Sequence, residues 1–477
     1  MKGLLSLPPE LLVMLARTLI GSVQGTACGS HRYVISFALT CKDMYSVLVH
    51  ILFEDIRIVH KGEPTKLSNQ RLLPLIRAIE RESTLGTYLK GFELCLSRPG
   101  QGRESYLAEI TRHCKSFGNF LHARAPNTEA LQMPYPLGCD FLGRSWLNLQ
   151  RLTVSSIDGA LATYSAGHEN IDWLVDLELS QGLDVAFLAT VLHSPRLTDL
   201  SLKTPRFKGE EALSDLQPRC IPLQRLTIST HGMQDSTISA LLQAPEALIE
   251  FRLPCCLQHK DFAPCTNSWG DDLMPTPLRL PRLTKIYEGL RHHTTSLKHL
   301  HIYEASFSIN RSLNTGHHSF RDFSCLQSME VDVTMLLGWT DCLHSRKPSN
   351  ENTSLDPRAL GTLLPDTLEE LVLYIDNDYL IDNDYLSQRG AGYVHQIMFG
   401  IIDEADRLTC LKTLRLAPDY VHCWRCTQEH DYAFSYQDED VVVDTIKESD
   451  ALKRLADTKS IKFEVRSGRD NQGLPYW

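Results

Sequence analysis

The stretch from Leu174 to Leu202, LVDLELSQGLDVAFLATVLHSPRLTDLSL, begins and ends with the same six-residue pattern, Leu-x-x-Leu-x-Leu. The alternation of leucine with other residues predicts a strand at each end. Between the two strands, DVAFLATVLHSP has the apolar spacing of a helix that ends before Pro195. This stretch therefore predicts a unit of strand, turn, helix and return.

The same pattern recurs through most of the chain. Its copies are LKGFEL, the weaker TEALQM, LQRLTV, LVDLEL, LTDLSL, LQRLTI, LIEFRL, LKHLHI, LQSMEV, LEELVL and LKTLRL. From Leu131 to Phe251 the middle apolar residues follow one another at steps of 21, 25, 23, 26 and 25 residues. A generic α/β protein also has leucines in its strands, but it does not predict one pattern at near-constant spacing.

This spacing resembles that of leucine-rich repeats, whose period is about 20–29 residues. The resemblance implies an α/β horseshoe over residues 85–466, a solenoid with a parallel sheet on its concave face, followed by a tail at 467–477. The chain departs from the regular family because the Asn or Cys that normally follows the strand is mostly missing. The spacing also loosens after Phe251, where polar, proline-rich insertions begin.

The N-terminal segment has a different organisation. Pro8 and Pro9 are compatible with the first turn of a helix, and Leu11, Leu12, Leu15 and Leu19 form one apolar stripe behind them. After a Gly- and Ser-rich loop, FALTCKDMYSVLVHILFEDI predicts two more helices. Three short helices bury only a small core, so part of this leucine-rich surface is available for a partner.

These residues resemble the F-box, with Leu7, Pro8 and Glu10 in its first block. The second block matches at Leu39, Cys41 and Lys42, and the third at Leu52 and Phe53. The resemblance covers residues 4–58, and residues 59–84 connect it to the repeats. Irregular leucine-rich horseshoes behind an F-box are found in many fungal proteins, which this chain is similar to in organisation.

By this resemblance, the helical module docks onto the Skp-type linker of a cullin-RING ubiquitin ligase. The residues implied in the linker interface are Leu7, Pro8, Leu11, Leu12, Leu15, Leu39, Cys41 and Lys42. The chain is then a non-catalytic substrate adaptor that works without a cofactor. The alternative is a repeat scaffold whose N-terminal helices only cap the solenoid. The cap hypothesis predicts that removing residues 1–60 destabilises the repeats, and the adaptor hypothesis predicts that they stay folded.

The residues between the repeat leucines are expected on the concave face, because neighbouring side chains of a strand point to opposite sides. The predicted substrate-binding residues are Arg151, Thr153, Glu178, Arg225, Arg252, His301, Tyr303, Glu330, Tyr374 and Arg415. Their mixed charge and the net charge of −10 argue against nucleic acid and for a protein substrate. A solvated face without a ligand is the alternative. For a phosphorylated substrate, the expected contacts are Arg151, Arg225 and Arg252.

Candidate chemical motifs are weak. HCWRCTQEH, with Cys423 and Cys426, has half of a zinc site, and Cys255, Cys256, His259 and Cys265 form a looser cluster. The duplication IDNDYLIDNDYL lacks the glycine and terminal glutamate of a calcium loop. No metal site and no catalytic motif are therefore predicted. Scattered cysteines and the lack of a signal peptide or membrane span predict a reducing compartment, the cytosol or nucleus.

Overall fold

In the computed structural model the chain forms two compact units, residues 1–204 and residues 205–477. The structure describes residues 8–21, 38, 42–60, 72–96, 117–134, 148–155, 174–180, 183–203, 207–208, 213, 216–228, 234–253, 283–302, 318–337, 357–376, 387–419 and 450–465.

Among its described residues, the first unit has six parallel strands, each paired with the next one along the chain. They are β1 (Asp55–His60), β2 (Gly91–Leu96), β3 (Ala130–Pro134), β4 (Arg151–Ser155), β5 (Asp176–Ser180) and β6 (Asp199–Lys203). A two-residue strand, Leu183–Asp184, lies between β5 and β6 in sequence. Pairing in strict chain order is the arrangement expected of stacked repeats.

The described part of the second unit repeats this arrangement with seven parallel strands. They are β7 (Arg225–Ile228), β8 (Glu250–Leu253), β9 (His299–Ile302), β10 (Ser328–Asp332), β11 (Glu370–Asp376), β12 (Thr413–Asp419) and β13 (Lys462–Val465). A two-residue strand, Phe207–Lys208, precedes β7. The predicted α/β class with parallel strands is confirmed in both units.

Helices connect many of these strands. Those of the first unit are α1 (Pro9–Gly21), α2 (Lys42–Glu54), α3 (Leu73–Arg81), α4 (Thr84–Tyr88) and α5 (Val185–Leu192), and residues 117–124 are also helical. Those of the second unit are α6 (Asp235–Gln243), α7 (Leu283–Leu290), α8 (Val333–Leu337), α9 (Ser387–Asp403) and α10 (Asp450–Thr458). Short 3₁₀ helices occupy Arg291–His293, Pro357–Leu363 and Glu404–Asp406. The helices expected before LTDLSL and LIEFRL are confirmed as α5 and α6.

The strand register explains why the leucine pattern is needed. The middle apolar residues of successive copies are direct partners across the sheet, as Leu152, Leu177 and Leu200 show in the first unit. In the second unit Leu300 is aligned with Met329, and all five of these side chains are at most 2% exposed. Because a register shift of one residue would turn every leucine to the opposite face, burial of this row fixes the pairing.

Hydroxyl groups in the turns that precede the strands connect neighbouring repeats. The Ser296 hydroxyl donates a hydrogen bond to the Leu248 carbonyl of the preceding repeat at 3.0 Å, and Thr367 donates to Leu326 at 2.9 Å. Backbone amides add to these links, as when Lys298 donates to Ile249 at 2.8 Å. Serine and threonine hydroxyls and backbone amides thus join neighbouring repeats.

Two of the thirteen numbered strands in the described residues have no match to the six-residue pattern. Strand β1, DIRIVH, begins within the residues of the F-box resemblance and pairs with β2 along its whole length. Strand β13, KFEV, pairs with β12. Both are terminal strands of the described repeats. The parallel strands of the first unit consequently begin at Asp55, before the residue 85 that the leucine pattern indicates.

Helix α2 links the N-terminal helices to the first repeats. One side of α2, with Met44, Leu48 and Ile51, packs with Leu12 and Ala16 of α1 and with helical Ala38. Its other side contributes Val49, which packs with Ile79 and Leu85 of the repeats, together with partly buried Tyr45 and Phe53. Helix α2 continues directly into β1 at Asp55. The same helix therefore belongs to two hydrophobic cores.

Candidate functional site

An exposed apolar surface lies on the side of α1 that faces away from α2. Leu11 is 46% exposed, Met14 is 62% exposed and Leu15 is 39% exposed, and Pro8 one turn earlier is exposed as well. We call these four residues the α1 patch. Leu11 is three residues from Met14 and four residues from Leu15, so these three side chains share one face of the helix, and Pro8 lies three residues before Leu11. Large exposed side chains clustered in this way mark surfaces that bind partners.

The α1 patch includes part of the set predicted for linker binding. Pro8, Leu11 and Leu15 belong to it, whereas Leu12 is 3% exposed and packs in the core. Lys42 is exposed at the start of α2. Predicted residues Leu7, Leu39 and Cys41 lie outside the described residues. Sequence analysis missed Met14, although its position three residues after Leu11 fits the helical period.

A polar cluster borders the same helices. Glu54 at the end of α2 accepts hydrogen bonds from Arg17 of α1 at 3.1 Å and from Lys90, just before β2, at 2.9 Å. The bond from Lys90 holds the pKa of the Glu54 carboxyl below its ordinary value, against a smaller opposing effect of burial. These residues, with His50 and Tyr88, line a polar cleft of about 420 Å³. This cluster connects α1, α2 and the first repeat, and none of its residues belongs to the α1 patch.

A second candidate surface follows the strands of the second unit. The residues between the repeat leucines form one row of register partners, from Arg252 through His301 and Glu330 to Val372 and Arg415. Of these, Val372 is buried, Arg252 is exposed, and His301, Glu330 and Arg415 are half-buried. The row alternates with the buried leucines, as predicted from the strand period.

Two predicted residues of this row, His301 and Glu330, meet a third, Tyr374, which lies two residues after Val372 on the same strand. His301 Nδ1 lies 2.6 Å from Glu330 Oε2, and Tyr374 Oη donates to the same oxygen at 3.2 Å. The His301 and Tyr374 ring centroids are 6.4 Å apart. Burial raises the pKa of the Glu330 carboxyl, but the hydrogen bonds and charges of its neighbours, His301 first, outweigh it and leave the pKa below its ordinary value. Predicted residue Tyr303 lies outside the described residues.

Arg415 is the centre of an ion-pair network two strands further on. Its Nε donates to Glu464 Oε2 at 2.6 Å, and its Nη1 pairs with Glu370. Lys462 also pairs with Glu464. Hydrogen bonds from Lys462 and Arg415 lower the pKa of the Glu464 carboxyl to about 2. Burial alone would lower the pKa of the Arg415 guanidinium, but its carboxylate partners raise it above its ordinary value.

The predicted residues of the first unit lie around an acidic group of side chains. Arg151 Nε donates to Asp176 Oδ2 at 2.6 Å, and Thr153 and Glu178 are register partners in the row between the leucines. Burial raises the pKa of the Asp176 carboxyl, and the nearby charges of Asp199 and Glu178 add to this effect against the opposing Arg151.

The arginines expected to bind phosphate are positioned less favourably than the sequence indicated. Arg151 is paired with Asp176, and Arg252 is paired with Glu250 on its own strand. Arg225 is exposed at the start of β7. A phosphate group would have to displace a carboxylate from Arg151 and from Arg252, so this surface is poorly prepared for a phosphorylated ligand.

The candidate metal motifs are not part of the described structure. Cys255, Cys256, His259, Cys265 and the segment 422–430 lie outside the described residues, as does most of the duplication that follows Asp376. Among the residues that are described, no group of three His, Cys, Asp or Glu side chains is arranged to hold a metal ion. Within the same residues, no helix combines the length and apolarity needed to cross a membrane.

Comparisons with known proteins add little to this geometry. No protein-family model and no curated protein matches the chain. Among solved structures, a crystal structure of a protein from Bacteroides fragilis is similar with a TM-score of 0.30 and 12% sequence identity. The similarity covers 88% of this chain and 75% of that one. At this TM-score the likeness carries no argument about fold or function, and the functional proposal depends on the surfaces described above.

Proposed function

We propose that the protein is the substrate-recognition adaptor of an SCF-type (Skp–cullin–F-box) ubiquitin ligase. In this proposal the N-terminal helices dock onto the Skp-type linker, and the strand faces of the repeats bind a protein substrate. The ligase chemistry belongs to other subunits, and the adaptor contributes by bringing substrate and ligase together. The observation that carries the proposal is the α1 patch, in which Leu11, Met14 and Leu15 are exposed on a helix whose opposite side is packed.

Leaving these apolar side chains in water forgoes the free energy that their burial would contribute. Complete burial of a leucine or methionine side chain contributes about 1.5–3 kcal/mol. Within the first unit the α1 patch obtains only part of this free energy, because Leu12 and Ala16 provide the contact of α1 with α2 and the leucines and methionine of the patch stay 39–62% exposed. A partner that covers Leu11, Met14 and Leu15 together would recover that free energy. This is the interaction that the F-box resemblance implies for the same helix.

The repeat scaffold with a helical cap remains the second candidate, because α2 does cover the first repeats through Val49, Tyr45 and Phe53. Removing residues 1–60 does not separate the two hypotheses. The deletion removes α2 and β1, and both contribute to the first repeats. Loss of stability after this deletion is therefore expected whether or not the protein is an adaptor.

A pull-down with a purified Skp-type linker protein tests the proposal. Wild-type protein is expected to bind, and the double variant Leu11→Asp, Leu15→Asp is expected to lose binding while its thermal unfolding changes little, because both side chains are exposed. A matched control is Gln224→Asp, Gln327→Asp, which adds the same charge at exposed positions of the repeats. Lack of binding by wild type would reject the adaptor function and leave the scaffold.

A further inference from the structure

The carboxylates along the strands of the second unit differ in their partners. Glu250 is paired with Arg252, and both Glu370 and Glu464 are paired with Arg415. Glu330 instead accepts from His301 and Tyr374. Among the described carboxylates of this face, Glu330 is thus the one whose hydrogen-bonding partners carry no permanent positive charge.

The Glu330 carboxylate can accept a hydrogen bond from another donor. The bonds from His301 Nδ1 and Tyr374 Oη both end on Oε2. A carboxylate accepts about four hydrogen bonds, so the group keeps accepting capacity at Oε1. The side chains of His301 and Glu330 are 29% and 31% exposed, which makes them accessible to a partner although they are largely packed.

We propose that Glu330, His301 and Tyr374 receive a lysine or arginine side chain of a protein partner that lies across the strands of the second unit. This inference rests on the proposed function only in taking the strand face as the surface that meets a partner. The cation would bind the Glu330 carboxylate, and its aliphatic stem or guanidinium plane would contact the Tyr374 ring. A cation near an aromatic face is attracted by the negative charge density of the ring.

Charge complementarity favours this occupant over a phosphate. Within the described residues, Glu330 is bound only by an imidazole and a hydroxyl group, so its negative charge attracts a lysine or arginine side chain and repels a phosphate. The pKa of Glu330 lies below its ordinary value, so the carboxylate is anionic at neutral pH. The arginines nearby do not satisfy it. Arg252 contributes least among the groups that lower this pKa, and its guanidinium is bound to Glu250.

Fluorescence anisotropy with two labelled decapeptides tests the inference on the full chain. One peptide alternates lysine with serine and the other alternates glutamate with serine. Because the chain has a net charge of −10, a basic peptide is also attracted without specificity, and variants must separate the two effects. Glu330→Gln is the test variant. Glu369→Gln is its control, since it removes the same charge from a carboxylate that already has Lys412 as its partner.

The lysine peptide is expected to bind wild type more tightly than the glutamate peptide. Glu330→Gln should weaken the affinity for the lysine peptide at least tenfold, and Glu369→Gln should weaken it less than twofold. Equal losses in both variants, or tighter binding of the glutamate peptide, would overturn the inference. Failure of the lysine peptide to bind the wild-type protein would also overturn the inference. The peptide comparison on wild type needs no variant to fold, and neither outcome depends on the Skp-type linker, so this inference and the adaptor proposal can fail separately.

Discussion

Helices α1 and α2 are both 13 residues long and share one hydrophobic core, but their apolar residues serve different purposes. Helix α2 is packed on two sides, against α1 through Leu48 and against the first repeats through Val49. Helix α1 is packed on one side through Leu12, and the opposite side exposes Leu11 and Leu15.

This difference separates leucines that fold the module from leucines that are left for a partner. A leucine that is buried in the isolated chain contributes to stability, whereas an exposed one contributes only when another molecule covers it. The two helices therefore predict opposite outcomes for the same kind of substitution.

The combined variant Leu48→Ala, Val49→Ala truncates both packed sides of α2. Both residues are at most 6% exposed, and the lost burial and resulting cavities are expected to lower the free energy of unfolding by about 4–7 kcal/mol. Denaturant unfolding measures this loss, and hydrogen exchange should show reduced protection in β1 and β2 as well as in α1. Unchanged protection of β2 would contradict the dual role of α2.

Within α1, Leu12→Ala and Leu15→Ala form a matched pair. Leu12 is 3% exposed and Leu15 is 39% exposed. The first substitution is expected to lower the free energy of unfolding by about 2–5 kcal/mol and the second by less than about 0.5 kcal/mol. Thermal and denaturant unfolding of the two variants provide the comparison. Similar losses would mean that α1 is packed on both sides, as α2 is.

A change of pH acts on the second unit and leaves the apolar contact of α1 with α2 unchanged. His293 is buried, its Nδ1 accepts from the Leu248 amide at 3.3 Å, and its Nε2 lies 2.6 Å from the Leu242 carbonyl oxygen. Burial lowers the pKa of His293. Below pH about 6.5 the unfolded chain therefore binds a proton that the folded protein resists.

The free energy of unfolding is consequently expected to fall as the pH decreases from 6.5, by at most about 1.4 kcal/mol per pH unit from this residue. Denaturant unfolding at pH 7.5 and 5.5 measures the slope. His293→Gln should reduce this slope. His292→Gln, a substitution at the exposed neighbouring position, is the control. At lower pH, Glu464 adds a further loss between its unfolded pKa of about 4.3 and its folded pKa of about 2. An unchanged slope in His293→Gln would show that other groups cause the acid sensitivity.

A small effect is also expected at the polar border of the two helices. Arg17 is 59% exposed and pairs with Glu54 at 3.1 Å. Because exposed ion pairs contribute little, Arg17→Met should lower the free energy of unfolding by at most about 1 kcal/mol and leave linker binding intact. Lys90 still neutralises Glu54 in this variant. A loss comparable to that of Leu12→Ala would show that the contact of α1 with α2 depends on this charge.

The sequence predicted the repeats well because their pattern is local. Leu177 and Leu200 lie at fixed positions in short strands, and a helical period is readable in the residues between them. It missed β1 and β13, whose residues DIRIVH and KFEV do not repeat the leucine spacing. Those strands lie at the ends of the described repeats, where pairing with one neighbour is enough and the pattern is less constrained.

The candidate surfaces show a similar division. The sequence alone determined which residues alternate with the core, because the strand period places Arg252, His301, Glu330 and Arg415 on the face opposite the leucines. It also placed Leu11, Leu12 and Leu15 on one helix.

Only the tertiary structure decided which of these residues are covered and which charges are paired. Leu12 is buried because α2 lies against it, and Arg415 is neutralised because Glu370 and Glu464 come from strands on either side of it. Both facts depend on residues distant in sequence. A local period determines the direction of a side chain, but the neighbour that covers or neutralises it is set by how the chain packs.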